Sequence, residues 1–284
     1  MMLRIVTDGA ADMPESWGEE FEIHTLPLRI RFGEETYVQG VDVDQSNFYQ
    51  LVEEKRMIPG TSLPSPEQVM EFYRSVARKG EEILSIHVSS KMSGTFSVVE
   101  MAAKELAGEL RVYPFDSAAG SAVMGLMCRE ARILARTGAS IQKILDRLAQ
   151  MRTRLALAFT MDRLDFARMN GRVNALQSVL SSALGIKPIV ILKDGLLQMG
   201  DKVRTRQRAL RHVIQTVKEQ VGRLPVTVAV VHAADPQAAQ ELIAQVRAQL
   251  NVRELIQTEL SIPVAANLGP GTVGIVALPM QERG

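Results

Sequence analysis

Short apolar runs broken by polar turns alternate along this chain with longer stretches in which apolar residues recur every three or four positions. Leu3-Arg4-Ile5-Val6-Thr7 reads as a buried strand that breaks into Asp8-Gly9-Ala10-Ala11-Asp12, a polar turn leading to Pro14. A second β region, Leu28 to Val38, is interrupted by Gly33-Glu34-Glu35 and predicts a hairpin-like excursion; a helix over Asn47 to Met57 then ends at Pro59-Gly60. Thr61 and Ser62 are left on a connecting loop, and Ser65 as N-cap with Pro66 as first helical residue starts a helix that reaches Arg78. Strand Ile83 to Val88 runs into the Ser89 to Thr95 turn and a helix continuing through Leu106. Strand Leu110 to Phe115 ends in Asp116-Ser117 and precedes two helical stretches, Ala118 to Arg136 and Ile141 to Met151. Such alternation predicts a parallel sheet covered by helices.

The second half repeats the grammar with different details. Leu155 to Thr160 reads as a strand, Asp162 to Asn170 as a short helix stopped by Gly171, and Val173 to Ala183 as another helix. Ile186 to Leu192 and Leu196 to Met199 bracket Lys193-Asp194-Gly195, a strong hairpin signal. Helices over Thr205 to Val221 and Pro236 to Leu250 alternate with strands over Val226 to Val231 and Glu254 to Leu260, and an apolar tail follows Asn267-Leu268-Gly269-Pro270-Gly271. The expected fold class is α/β with two α/β domains, 1–153 and 154–284. No fixed-period repeat or low-complexity segment is apparent.

Composition narrows the function. At 284 residues, 46% hydrophobic, the chain has material for two cores and is neither disordered nor collagenous. Thirty-three Lys and Arg against 32 Asp and Glu leave a net charge of +1, without the basic excess that general nucleic-acid binding requires. One cysteine, Cys128, permits no intramolecular disulfide or cysteine-based metal cluster and fits a reducing compartment. An acid by Asp8 interrupts any signal-peptide core, and no run approaches a membrane span; the expectation is a soluble cytoplasmic protein.

In open α/β sheets ligands bind beyond the carboxyl ends of strands, where three loops are candidates: Asp8-Gly9, Ser89 to Thr95 and Asp116-Ser117. The middle loop sets several hydroxyls beside Gly94 at a helix N-terminus, whose free N–H groups and dipole favour an anion. The plainer alternative is that Ser93 caps the helix while Ser89 and Ser90 solvate a turn. Thr61-Ser62 and Gly269-Pro270-Gly271 read as ordinary turns, or as backbone that a ligand approaches closely. Lys202-Val203-Arg204-Thr205-Arg206-Gln207-Arg208 and Arg211 form the densest positive patch; on a helix beginning near Thr205, Arg204, Arg208 and Arg211 would share a face, either solvated or docking an acidic partner or phosphorylated species. Catalysis has weak support: Lys91-Met92-Ser93-Gly94 is no nucleophile elbow, and His24, His87, His212 and His232 contain no metal-spaced pair. His87 and His232, at strand ends, are general-base candidates or, more plainly, satisfied core or loop histidines. No P-loop or dinucleotide fingerprint appears.

Taken in order, Ile5-Val6-Thr7-Asp8, Thr61-Ser62 with Pro64-Ser65, Ser89-Ser90 with Ser93-Gly94-Thr95, Asp116-Ser117, Asn170-Gly171-Arg172, Gly185-Ile186-Lys187-Pro188, Lys202-Val203-Arg204-Thr205 and Gly269-Pro270-Gly271 resemble the DegV family of bacterial fatty-acid-binding proteins. The resemblance implies two α/β domains with one long-chain fatty acid buried between them and its carboxylate held by loop hydroxyls. It also implies an ATP-dependent fatty acid kinase as partner, which phosphorylates that carboxylate to an acyl phosphate for phospholipid synthesis. This chain would be the acyl carrier, with no catalytic residue, metal or cofactor of its own. Ser93 matches the family's carboxylate-contacting serine, with Thr61, Ser62, Gly94, Thr95, Asn267 and Gly269 around it; Arg172, Lys202 and Arg204 match positions associated with the kinase or the phosphoryl group. Asn267 stands where the family often has histidine, so a charge-assisted hydrogen bond from that position is lost. Two competing readings are a stand-alone hydrolase or phosphotransferase using Ser93 with His87 or His232, and a non-catalytic lipid-binding regulator.

Overall fold

The structure, a computed structural model, describes residues 3–174 and 185–280. They form two compact units, 3–152 with 261–266, and 153–260 with 267–280. The short return of 261–266 to the first unit has no counterpart in a linear division near residue 153.

In the first unit, β1 (Leu3–Asp8), β2 (Ile23–Leu26), β6 (Glu82–His87) and β7 (Arg111–Asp116) form a four-stranded sheet of order β2-β1-β6-β7. Every neighbouring pair is parallel, so all four strands end on the same edge. Helices α3 (Pro66–Val76) and α4 (Thr95–Glu105) bury Val69, Tyr73, Val99 and Ala102 against Val6, Leu26 and Ile83. Helix α5 (Ala122–Arg136) packs on β1 and β6, and strands covered in this way read as near-continuous apolar runs. Arg132 of α5, nearly inaccessible, donates to the carbonyls of Leu3, Phe21 and Glu22, which answers its charge inside the fold. Helices α1 (Ser16–Glu20), α2 (Phe48–Lys55) and α6 (Ile141–Arg154) complete the helical elements before residue 155.

The excursion is the antiparallel pair β3 (Arg29–Phe32) and β4 (Glu35–Val38), turning through Gly33 at φ +61°. A third strand joins it. Gly60–Ser62 is β5, paired with β3 so that Thr61 stands opposite Ile30 and Ser62 opposite Arg29; the expectation of a loop there is corrected. A three-residue strand before Pro64 is too short to show an alternating pattern, and β3 supplies the pairing from a distance. Residues 118–121, expected to be helical, are instead a turn in which Ala118 and Ser121 have φ of 50° and 60°.

The second unit holds β8 (Ala156–Thr160), α7 (Leu164–Asn170), β9 (Val173–Asn174), β10 (Lys187–Lys193), β11 (Leu196–Val203), α8 (Arg206–Val221), β12 (Val226–His232), α9 (Pro236–Gln249), β13 (Val252–Glu259) and β14 (Val273–Pro279); α10 (Ile262–Leu268) runs from the returning segment into it. Among the described residues its strands form one seven-stranded sheet in the order β13-β12-β14-β8-β10-β11-β9, parallel only at β12/β13 and β9/β11. The Asp194-Gly195 hairpin forms as expected, both residues at positive φ. The helix expected from Val173 is not there at its start, since Val173 and Asn174 pair with β11, and its remainder lies outside the described residues. Strand β14 lies inside the sheet between β12 and β8, and Gly274 lies against β8: a Cβ there would meet the Cβ of Phe159 at 2.4 Å.

Candidate ligand site

The parallel sheet of the first unit delivers three polar loops to one edge, and each is tied down by an aspartate. Asp8 ends β1: its Oδ1 accepts from Ala10 N at 2.9 Å and its Oδ2 from Val88 N at 3.1 Å, which joins the β1 and β6 loops. Asp116 ends β7: its Oδ2 accepts from Ser90 Oγ at 2.6 Å, and its Oδ1 from Ala118 N at 2.7 Å. Asp12 accepts from Ser121 Oγ at the start of α5 and, at 2.7 Å, from Ser261 N of the returning segment. Burial pushes the Asp12 carboxyl up to about 6, against the opposing pull of these hydrogen bonds. The carbonyl oxygen of Asp12 is 2.4 Å from where a Cβ on Gly125 would stand, so only glycine lets α5 approach this closely.

Within this frame lies the turn Ser93-Gly94-Thr95. Ser93 N donates to the Ser89 carbonyl at 3.0 Å, Ser93 Oγ and Thr95 Oγ1 are 2.9 Å apart, and Thr95 N donates to Ser93 Oγ at 3.2 Å. Gly94 occupies the N-cap of the eleven-residue α4, and having no side chain it cannot cap the helix itself. Two hydroxyls therefore sit at the positive end of a helix dipole, Ser93 half-buried and Thr95 buried. A Cβ on Gly94 would meet Leu63 Cδ1 at 2.8 Å, so the segment just after Thr61 and Ser62 lies against the same turn. Gln39 fixes the small sheet beside the β1 loop by accepting from Leu28 N and donating to the Gly9 carbonyl. Five predicted residues, Thr61, Ser62, Ser93, Gly94 and Thr95, thus belong to one neighbourhood of the first unit.

His87 is not available as a base to Ser93. Both ring nitrogens are engaged in the interior, Nδ1 with Asp8 Oδ2 at 2.9 Å and Nε2 with Ser85 Oγ at 2.7 Å, and Ser85 Oγ is 2.8 Å from Tyr73 Oη. The connectivity Asp8, His87, Ser85 matches a nucleophilic triad, yet all three side chains are fully buried and the serine's outer neighbour is a tyrosine rather than a substrate. The available sequence signal was the Ser-x-His spacing in β6, which puts both side chains on one face of the strand.

The remaining predicted residues lie in the second unit. Asn267 is half-buried near the end of α10. Gly269 and Gly271 have φ of 80° and 77° and pack on Phe166 and Asp162, with hypothetical Cβ contacts of 2.8 Å each. Asp162 is held by Lys187 Nζ at 2.7 Å and Arg206 Nη1 at 3.3 Å, and Arg206 also reaches Asp235 at 2.5 Å. Arg172 follows the αL cap Gly171, and Lys202 and Arg204 flank the end of β11; all three are exposed. Arg204 precedes the N-cap Thr205, whose Oγ1 accepts from Arg208 N, so it does not share a helical face with Arg208 and Arg211 as expected. His232 Nδ1 stands 3.8 Å from Glu259, and burial pushes its ring below the ordinary histidine value. Among the described residues no group of acids, histidines and cysteine could hold a metal, and no helix is long and apolar enough to cross a membrane.

Fold and site define a class: a two-unit α/β protein that gathers hydroxyls and a helix N-terminus at the carboxyl edge of a parallel sheet. A family model described as "Uncharacterised protein, DegV family" matches residues 2–280, and the chain belongs to that family. Protein DegV of Bacillus subtilis is 30% identical over 277 residues, covering 97% of this chain and 98% of its own. Two solved structures are similar throughout. A DegV family protein from Thermus thermophilus, described by its fatty acid binding, has a TM-score of 0.90 at 28% identity, covering 99% of this chain and all of its own. DegV from Bacillus subtilis, described as a fatty acid binding protein, has 0.87 at 29%, with the same coverage.

Proposed function

We propose that this chain binds one long-chain fatty acid with its carboxylate at the Ser93-Gly94-Thr95 turn, and presents that carboxylate to an ATP-dependent kinase in the cytoplasm. The observation that carries the reading is the Ser93 and Thr95 hydroxyl pair, 2.9 Å apart, at a helix start whose N-cap has no side chain. Hydroxyls and helix N–H groups offer hydrogen bonds to an anion without a lysine. Thr61 and Ser62 lie on the segment that packs against the turn through Leu63, and under this reading add further hydroxyls. The two solved neighbours described as fatty acid binding support the choice of ligand.

The energetics follow from the ligand. Burying about fourteen methylenes at roughly 0.8 kcal/mol each contributes on the order of 11 kcal/mol before ordering costs. The tail supplies affinity and the head orientation, because an unsatisfied buried carboxylate would cost several kcal/mol. In the transfer the partner kinase moves the terminal phosphoryl group of ATP to a carboxylate oxygen, leaving ADP and an acyl phosphate on this chain. Arg172, Lys202 and Arg204, all exposed, are the candidate contacts for that partner or for the phosphoryl group. A hydrolase built on Ser93 and His87 has no geometric support, since His87 is committed to Ser85 and Asp8.

The test is to release small molecules from the purified protein by gentle denaturation and identify them by mass spectrometry. A fatty acid near one per chain is expected; an empty protein that also takes up no added fatty acid overturns the reading.

A further inference from the structure

We infer that Tyr73, Ser85, His87 and Asp8 form a one-way hydrogen-bond chain that positions the headgroup turn, so that Tyr73 governs ligand retention without touching the ligand. The inference rests on the proposed fatty-acid reading for its functional half only.

The direction of the chain follows from counting protons. Ala10 N and Val88 N can only donate, and both are aimed at the Asp8 carboxylate, which therefore acts as acceptor. His87 Nδ1, 2.9 Å from the same carboxylate, carries a proton to give it. If Nε2 carried one as well, Ser85 would have to receive it and donate onward to Tyr73, and among the described residues the phenol proton would point at no acceptor in a fully buried site. The reverse order satisfies every group: Tyr73 donates to Ser85, Ser85 to His87 Nε2, and His87 Nδ1 to Asp8. Burial pushes the Tyr73 phenol upward, which keeps it a donor.

The chain crosses the segments that make the site. Tyr73 belongs to α3, whose N-cap Ser65 lies three residues after Ser62; its capping partner Gln68 accepts from Arg29 of β3 at 2.9 Å. Ser85 and His87 belong to β6, which runs directly into the loop ending at Thr95, and Asp8 closes β1. A hydroxyl at one end thus registers the Thr61–Ser62 side against the Ser93–Thr95 side.

The test compares the full-length wild type with Tyr73→Phe, which removes one oxygen, and with Val69→Ala, which trims the same buried face of α3 but touches no hydrogen bond. Nitrogen NMR of the His87 ring should show the Nδ1–H tautomer in the wild type. Tyr73→Phe should bind palmitate about threefold to tenfold more weakly in calorimetry, with faster hydrogen exchange at Val88 and Ala10, while Val69→Ala lowers stability with palmitate binding unchanged. An Nε2–H or mixed tautomer, undiminished palmitate binding by Tyr73→Phe, or an equal loss in Val69→Ala overturns the inference. If the wild type takes up no palmitate, the functional reading fails by itself; the tautomer and amide exchange then decide the chain, an Nδ1–H ring with exchange quickened by Tyr73→Phe sustaining it and any other result overturning it.

Discussion

The two units put their polar side chains to different uses because their sheets run differently. In the first, four parallel strands end together, and Asp8, Asp12 and Asp116 are used within a few residues of that edge to bind loop to loop. In the second, mostly antiparallel strands distribute their ends to both edges, and its chief acidic knot, Asp162 with Lys187 and Arg206, is a partly exposed ion-pair cluster. A parallel sheet concentrates loops, and burying two of the carboxylates that fasten them, Asp8 and Asp12, gives rigid backbone on which hydroxyls can be aimed. Similar acids in the two units should therefore differ greatly in what their removal costs.

The largest effect is expected at Asp8. Asp8→Ala leaves Ala10 N, Val88 N and His87 Nδ1 facing no acceptor in the interior, and should cost about 3 to 5 kcal/mol in urea unfolding. A loss under 1 kcal/mol would mean that the β1 and β6 loops hold together without it, and the contrast between the units would lose its basis.

Asp12 sharpens the comparison through pH. Its carboxyl is raised from 3.8 to about 6 by burial, so the folded state binds the proton more tightly than the unfolded chain does. The resulting stability is fully present below about pH 4 and is lost as pH rises through 6, with roughly 3 kcal/mol at stake. Asp12→Asn removes this titration. The stability difference between wild type and variant, measured by urea unfolding at pH 4 and pH 7, should move against the wild type at the higher pH. A constant difference would place the Asp12 carboxyl in contact with solvent.

How far these features could be read in the sequence depended on how local their causes are. The capped start of α3 at Ser65-Pro66, the Asp194-Gly195 hairpin and the Ser93-Gly94-Thr95 turn are each written within a few consecutive residues, and each is found where expected. Features made by distant pairing were not legible. Ile23–Leu26 is a strand because β1 lies beside it, β5 because β3 does, and Asp12 meets Ser261 across 249 positions of sequence. Tyr73 carried no signal at all, since a tyrosine on the apolar face of a helix looks the same whether or not its hydroxyl finds Ser85. At α8 the error was one of phase: Thr205 caps the helix, so the cation before it is outside the helical period.

Ser93→Ala is expected to leave the fold intact, because Ser93 is half-buried and its hydroxyl's partners are Thr95 Oγ1 and the Thr95 amide. Fatty-acid retention should weaken by about 1 to 3 kcal/mol, the cost of a missing donor to a charged head. Equal retention by variant and wild type in a palmitate titration would remove this turn from the headgroup site and leave the aspartate-fastened edge without its proposed purpose.

Asp162 is the counterpart in the second unit and should give the smallest effect. Asp162→Ala keeps the Cβ that packs against Gly271 and deletes only the carboxylate facing Lys187 and Arg206. With the side chain about one-third exposed, solvent screens both pairs, and Arg206 retains Asp235 as a second partner. The loss should stay below about 1 kcal/mol in urea unfolding and shrink further at high salt, because screening already weakens the pairs that were deleted. A loss near that of Asp8→Ala would show that the Asp162 knot, despite its exposure, fastens the Gly269-Pro270-Gly271 turn as firmly as Asp8 fastens the β1 and β6 loops. The difference between the units would then lie in strand direction alone, with burial of the acid contributing nothing to it.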